Sequence, residues 1–176
     1  MPDSITTRSP DASLSDGLRA MMRGFPTGVA VVTAVDLDGT PWGMTCSSVC
    51  SVALEPPTLL VCLRAASPTL AAVLARGELA VNLLHEEARA TAELFASGDP
   101  GRFGRVRWRR DAGAAGPHLW EEAHAVADCR AGMTQPVGDH VALFAEVVRV
   151  TRQEDCRPLL YGLRAYGRWP DTQPAS

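Results

Sequence analysis

The chain has 176 residues, 46% of them hydrophobic and 21% charged, which is ordinary globular composition and enough for one domain with a real core. A net charge of -3 and a pI near 5.8 exclude the basic footprint of a nucleic-acid binder. All 17 basic residues are Arg, so lysine Schiff-base and lysine-nucleophile chemistry are excluded as well.

Residues 1–14 are polar and rich in Pro, Ser and Thr, and are expected to form a disordered tail. They carry acidic residues and no apolar run, unlike a signal peptide, and no stretch of the chain is long enough to span a membrane. The five cysteines are odd in number and irregularly spaced, which argues against a disulfide framework. A reducing, cytoplasmic setting is therefore expected. The domain proper is expected over residues 15–170, with a second tail at 171–176.

Ser15 is a candidate N-cap, and Leu18, Met21, Met22 and Phe25 recur at helical spacing. The expectation is a short helix ending near Gly24, its apolar side packed on a sheet. Val29–Val35 is a β-branched strand, Asp36–Gly39 a turn, and Thr40–Thr45 the returning strand of a hairpin. Pro56-Pro57 precedes a strand over Thr58–Arg64. Ser67-Pro68 opens a helix that Gly77 closes, because Ser caps well and Pro suits the first helical position. That N-terminus is either an anion seat or an ordinary cap.

Glu78–Leu84 reads as an apolar strand holding one amide, Asn82, which must be hydrogen-bonded if buried. His85–Ala96 reads as a second short helix. Ser97–Gly116 is a long loop with five arginines, Phe103 and Trp108; loops of that length are often functional lids. Its arginines are either a phosphate attractor or a solvated surface. Strands are expected over Ala123–Met133, Val141–Val150 and Pro158–Leu163. No internal repeat and no Gly-rich phosphate turn occurs, so a doubly wound dinucleotide fold is not expected. About six or seven strands with few helices point to a closed antiparallel barrel.

One stretch stands apart. In Gly43-Met44-Thr45-Cys46-Ser47-Ser48-Val49-Cys50-Ser51-Val52, small hydroxyl and thiol side chains sit in a row between apolar strands. Hydroxyls donate and accept, and small side chains leave the backbone N–H groups reachable. Two readings stand: a cradle for a flat heteroaromatic cofactor, or a Ser-rich edge strand. A barrel that only mediates association does not explain the row. Cys46 and Cys50 also fall within loose zinc-ligand spacing, but no second Cys/His pair accompanies them.

A series of motifs, taken in order, resembles a known family. Phe25-Pro26-Thr27-Gly28-Val29-Ala30-Val31-Val32-Thr33, the Gly43–Ser48 run, Ser51-Val52 with Pro56-Pro57, Ala80-Val81-Asn82 and Gly138-Asp139-His140, followed by Pro158-Leu159-Leu160-Tyr161, look like the short-chain flavin reductases of two-component flavin-dependent monooxygenases. The resemblance covers roughly Leu18 to Pro170. It implies a mainly β, antiparallel split barrel of the FMN-binding type, usually a homodimer with flavin near the subunit interface. It implies NAD(P)H-dependent reduction of FMN or FAD, with reduced flavin released to a separate monooxygenase. Carried over by position, Thr27, Thr45, Cys46, Ser47 and Ser48 would line the flavin, with Ser51 and Val52 nearby. Ser67 would meet the flavin phosphate, Asn82 would hydrogen-bond the flavin, and Phe103 would sit near the ring. His140 and Tyr166 would face NADH or NADPH, His140 as a nicotinamide-positioning residue. Cys46 stands where relatives often have Ala, and a thiol there could be oxidised.

Hydride transfer needs stacked rings and little acid–base machinery. No catalytic triad is therefore expected, and the sequence has no Gly-x-Ser-x-Gly turn. The alternative on the same fold is a flavin carrier or sensor, or an oxidase acting on a small molecule.

Overall fold

The fold was analysed in a computed structural model that describes residues 12–154 and 156–170; the expected tail over 171–176 and most of the one over 1–14 lie outside them. Seven strands form one sheet, β2 (Ala30–Val35), β3 (Pro41–Cys46), β4 (Val49–Leu54), β5 (Pro57–Arg64), β6 (Glu78–Leu84), β7 (Ala123–Val137) and β8 (His140–Arg152), in the order β3-β2-β6-β7-β8-β5-β4. All neighbours are antiparallel. Three short strands, β1 (Thr27–Gly28), β9 (Leu159–Gly162) and β10 (Ala165–Arg168), form a second sheet in the order β1-β9-β10.

The closed barrel expected from strand number is not formed. β3 and β4 are the two edges and share no ladder. Near the seam, the β3 Cys46 Sγ lies 3.5 Å from the Cys62 carbonyl oxygen on β5, beside the Ser47-Ser48 link. The barrel is split there, as the resemblance implied.

Strand β2 sits one place from that edge and is buried along its whole length. Alternation assigns its two faces to two cores. Ala30, Val32 and Ala34 pack inward with Leu63, Leu79, Val81 and Leu143. Val29 and Val31 pack outward with Leu84, Phe95, Leu119 and Leu159. Each such Val or Leu contributes about 1.5–3 kcal/mol by leaving water. The β2–β3 turn is fixed by Asp36, whose carboxylate accepts from the N–H groups of Asp38 and Thr40 and from the Trp42 indole.

Helix α2 (Pro68–Arg76) starts and stops as the sequence dictates. The Ser67 hydroxyl accepts from the Leu70 N–H at 3.1 Å, and Gly77 ends the helix in the left-handed region. Leu70 and Val73 plug one end of the inner core. Helix α3 (Arg89–Ala96) is shorter than the expected His85–Ala96, because His85 bridges to Pro158 and its carbonyl turns the chain onto the Ala88 N–H. Phe95 of α3 and Phe103 lie so close to β3 that a Cβ on Gly43 would stand 2.9 Å from the Phe95 ring. Gly43 therefore has a packing reason for its place in the Thr-Cys-Ser-Ser motif.

Two expectations about the N-terminus are corrected. Helix α1 (Ala12–Arg23) begins inside the expected tail, before Ser15. Its apolar residues are not packed on a sheet of this chain: Leu14, Leu18, Met21 and Met22 stay exposed, as does the following Phe25. No helix among the described residues is long and apolar enough to cross a membrane.

Candidate active site

Three cavities, of about 660, 680 and 480 Å³, run together along the Thr45–Ser48 segment. The first and third share Thr45, Arg64 and Ala96; the first and second share Ser47, Tyr161 and Arg164. They form one groove over the seam of the split barrel. The sheet edge explains the position: at Ser47-Ser48 the chain passes from one edge strand to the other, and no neighbour covers it.

The hydroxyl row divides by alternation. Thr45 pairs in register with the outward Val31, lines the groove, and donates to the Ala92 carbonyl of α3 at 2.6 Å. Cys46 pairs with Ala30 and turns inward, so the expectation that its side chain lines a flavin is corrected. Burial pushes its thiol pKa up, and it stays protonated at neutral pH. Cys50 is exposed on β4, so the zinc-like spacing of the two cysteines does not converge. Ser47 and Ser48 both line the groove; the Ser48 hydroxyl donates to the Cys62 carbonyl. Thr27, on β1, lines the second cavity, and Ser67, at the start of α2, lines the third.

Tyr166 lines the first cavity, its ring tilted against Tyr161 with centroids 5.1 Å apart. The Arg89 guanidinium sits over the Tyr166 ring at 5.5 Å and bonds Glu93 at 2.8 Å. Burial, then the Glu93 carboxylate, raise the Tyr166 pKa, so its hydroxyl remains a donor at neutral pH.

Charge distinguishes the groove. Arg19, Arg23, Arg64, Arg89, Arg102 and Arg164 line it, against Glu93 as the one acid among the lining residues. This holds in a chain of net charge -3. Focused positive potential of this kind recruits anions. The loop arginines beyond Arg102 lie outside the lining residues: Arg105, Arg107 and Arg109 pair with Asp99, Glu121 and Asp111, and Arg110 bonds the Ala114 carbonyl. Of the groove residues, Arg64, Arg89, Tyr161 and Arg164 were not expected from sequence.

Other expected residues fall elsewhere. Asn82 is fully buried and does not line the groove: its amide donates to the Val31 carbonyl and Thr33 hydroxyl, and its oxygen accepts from the Leu119 N–H at 2.8 Å. Phe103 packs edge-on against Phe95 and Trp108 behind β3, outside the groove. Ser51 and Val52 are exposed at a β4 bulge, beyond the lining residues. His140 lies at the β7–β8 hairpin, bonded to Asp139 at 2.8 Å; it touches the site only as the register partner of Arg64. The loop expected to act as a lid is pinned at its far end, where Pro117 accepts from Thr33, Leu119 bonds Asn82, and Ala115 and His118 bond Asp128.

Residues 22–170 match the flavin reductase like domain. The chain belongs to the flavin reductase family. A flavin reductase (NADPH) from Lentzea aerocolonigenes is 52% identical over 151 residues, 86% of this chain and 88% of that protein. Among solved structures, a Streptomyces globisporus NADH:FAD oxidoreductase, in complex with NAD and FAD fragments, has a TM-score of 0.83 at 29% identity, covering 91% of this flavin reductase and 95% of that chain. The styrene monooxygenase flavin reductase of Pseudomonas putida S12 has a TM-score of 0.80 at 27% identity, covering 89% and 99%.

Proposed function

We propose that this protein reduces FMN or FAD with NADH or NADPH in the Thr45–Ser48 groove and releases the reduced flavin to a separate monooxygenase. The observation that carries the site is the charge of the groove: of its six lining arginines, Arg19 pairs with Asp16 and Arg89 with Glu93, the one lining acid, which leaves Arg23, Arg64, Arg102 and Arg164 without a carboxylate partner among the described residues. Both reactants are flat rings attached to phosphates, and the groove offers a seat for each part. Small side chains at Ser47 and Ser48 let a ring lie against the backbone. Ser67 and Arg64 lie at one end, where the Ser67 hydroxyl proton remains free to donate to a phosphate while its oxygen caps α2. Tyr161 and Tyr166 offer an aromatic wall for the nicotinamide.

When bound, the nicotinamide supplies a hydride and the flavin ring accepts it. The protein's part is alignment, exclusion of water and neutralisation of phosphate charge. His140 reaches the groove through Arg64 and acts as a positioning residue in this reading. Cys46 serves packing, and its neutral buried thiol resists oxidation.

The active unit in this reading is a homodimer. Leu18, Met21, Met22 and Phe25 of the α1 region are exposed, as are Met133 and Val137 on the β7 side of the β7–β8 hairpin. Exposed large apolar side chains on one helix face are the kind of surface that associates with a partner. Static light scattering should return the mass of two chains. Five free cysteines support a reducing cytoplasmic setting.

The decisive test of the reaction is NAD(P)H oxidation followed at 340 nm with and without added FMN, FAD or riboflavin. Flavin-dependent turnover is expected. Flavin binding without turnover, with either nicotinamide, would sink the reductase reading in favour of a carrier.

A further inference from the structure

The tip of the β9–β10 hairpin is Leu163-Arg164, and both residues have positive φ, 52° and 62°. Two-residue turns of this hand usually take Asn or Gly, which adopt positive φ with little strain. Here a leucine and an arginine are held there by their surroundings. Gly162 and Ala165 close the ladder beneath the tip. The Leu163 N–H donates to the Arg23 carbonyl at the end of α1, at 2.7 Å. Gly162 lets the hairpin lie on Pro26, where a Cβ would stand 3.2 Å from the Pro26 Cα. Backbone strain retained at an exposed tip is a mark of a positioned side chain.

The side chain so positioned is Arg164. It lines both the first and second cavities, at the point where they join. Among the described residues it has no hydrogen bond and no ion pair. Of the other basic residues of the first cavity, Arg89 is engaged, bonding Glu93 and covering Tyr166, whereas Arg64 has no side-chain hydrogen bond or ion pair among the described residues and lies at the other end, toward the third cavity. A free guanidinium beside an aromatic wall is suited to the two-point grip that arginine makes on phosphate.

We propose that Arg164 is a second anion seat of the groove, one that takes a phosphate of the nicotinamide dinucleotide and is separate from the flavin-phosphate seat at Arg64 and Ser67. The proposal rests on the reductase reading above. Position assigns the two seats. Arg64 joins the first cavity to the third, toward α2, whereas Arg164 joins the first to the second, toward α1, with the Tyr161–Tyr166 pair beside it.

The test uses the full chain with Arg164→Gly and Arg164→Lys. Glycine relieves the positive φ while deleting the cation, so R164G should melt at or above the wild-type temperature. Its KM for the nicotinamide substrate should rise by about tenfold or more, R164K falling between, as expected for loss of a charge-assisted bond. kcat and the FMN Kd, the latter read from flavin fluorescence, should stay within about twofold. A larger KM rise with NADPH than with NADH assigns the 2′-phosphate; equal rises assign the pyrophosphate. Unchanged KM with both substrates overturns the proposal, as does a parallel loss of FMN affinity. If wild type shows no flavin-dependent turnover, the reductase reading fails by itself. Calorimetric titration of NADP+ and NAD+ into wild type and R164G then decides the seat: weaker binding by R164G upholds it, and equal or absent binding overturns it.

Discussion

Two polar regions lie on either side of β2, and they differ in what remains available. Around Asn82 and Asp128, hydrogen-bonding capacity is used up inside the chain. Asn82 joins β2, β6 and the Pro117–Leu119 segment. Asp128, with no exposure at all, accepts from the Ala115 N–H, the His118 ring and Arg149 at 2.7–2.8 Å. Along the groove, the Ser47 hydroxyl and the Arg164 guanidinium have no partner among the described residues. Both regions are built from residue types that sequence inspection marks as functional. The difference teaches that a polar residue's role is set by its unsatisfied capacity. A saturated network holds the fold, and an unsaturated one awaits a ligand.

The largest effect that can break this comparison is expected at Asp128. Asp128→Ala strands the Ala115 N–H, His118 and Arg149, and should cost about 3–5 kcal/mol of unfolding free energy, as loss of one partner from a buried charged network does. Urea denaturation measures it. The same network gives a pH signature. Burial acts to raise the Asp128 pKa, but the bonds from His118, the Ala115 N–H and Arg149 outweigh it and hold the carboxyl below its usual range. A depressed folded-state pKa contributes stability that is present above the unfolded value, near 3.9, and is lost as pH falls through the lower folded value. Wild type should therefore lose stability on acidification below about pH 4, and Asp128→Asn should lose less. A D128A protein of native stability but altered flavin affinity would reverse the roles of the two regions.

Much of the fold was legible because local rules carried it. Asp36–Gly39, Ser67-Pro68 and Gly77 each fix their own turn or cap, and the structure places them as read. The seam was legible as an oddity, since hydroxyls and thiols replace large apolar residues at Thr45–Ser48. What sequence could not supply was facing. Thr45 and Cys46 are neighbours in one motif, and only the register with Val31 and Ala30 sends one to the groove and the other to the core. Asn82 and Phe103 lie away from the groove for a related reason: the loop that satisfies the amide is distant in sequence from Asn82, and Phe103 packs against the Phe95 ring of α3. The α1 face was misassigned because amphipathicity says that a helix needs a partner surface, without saying which chain provides it. Arg64, Arg89 and Arg164 are far apart in sequence, and the fold brings them to one groove.

The comparison is sharpened by a variant that should lose binding without losing stability. Arg64 ends β5 with its side chain exposed, and it lies in the groove between Thr45 and Ser67. Removing it buries no unsatisfied group, so Arg64→Ala should change the melting temperature by no more than a degree or two, in line with surface substitutions. The FMN Kd should rise about tenfold, the loss expected for one charge-assisted phosphate contact. Riboflavin, which carries the same ring and no phosphate, separates the two ways of losing affinity. If its Kd is unchanged in R64A, the arginine acts on the phosphate, and the unsatisfied charge of the groove is ligand-directed. If riboflavin weakens as much as FMN, Arg64 shapes the ring site instead, and the phosphate seat belongs to Ser67 and the α2 N-terminus alone.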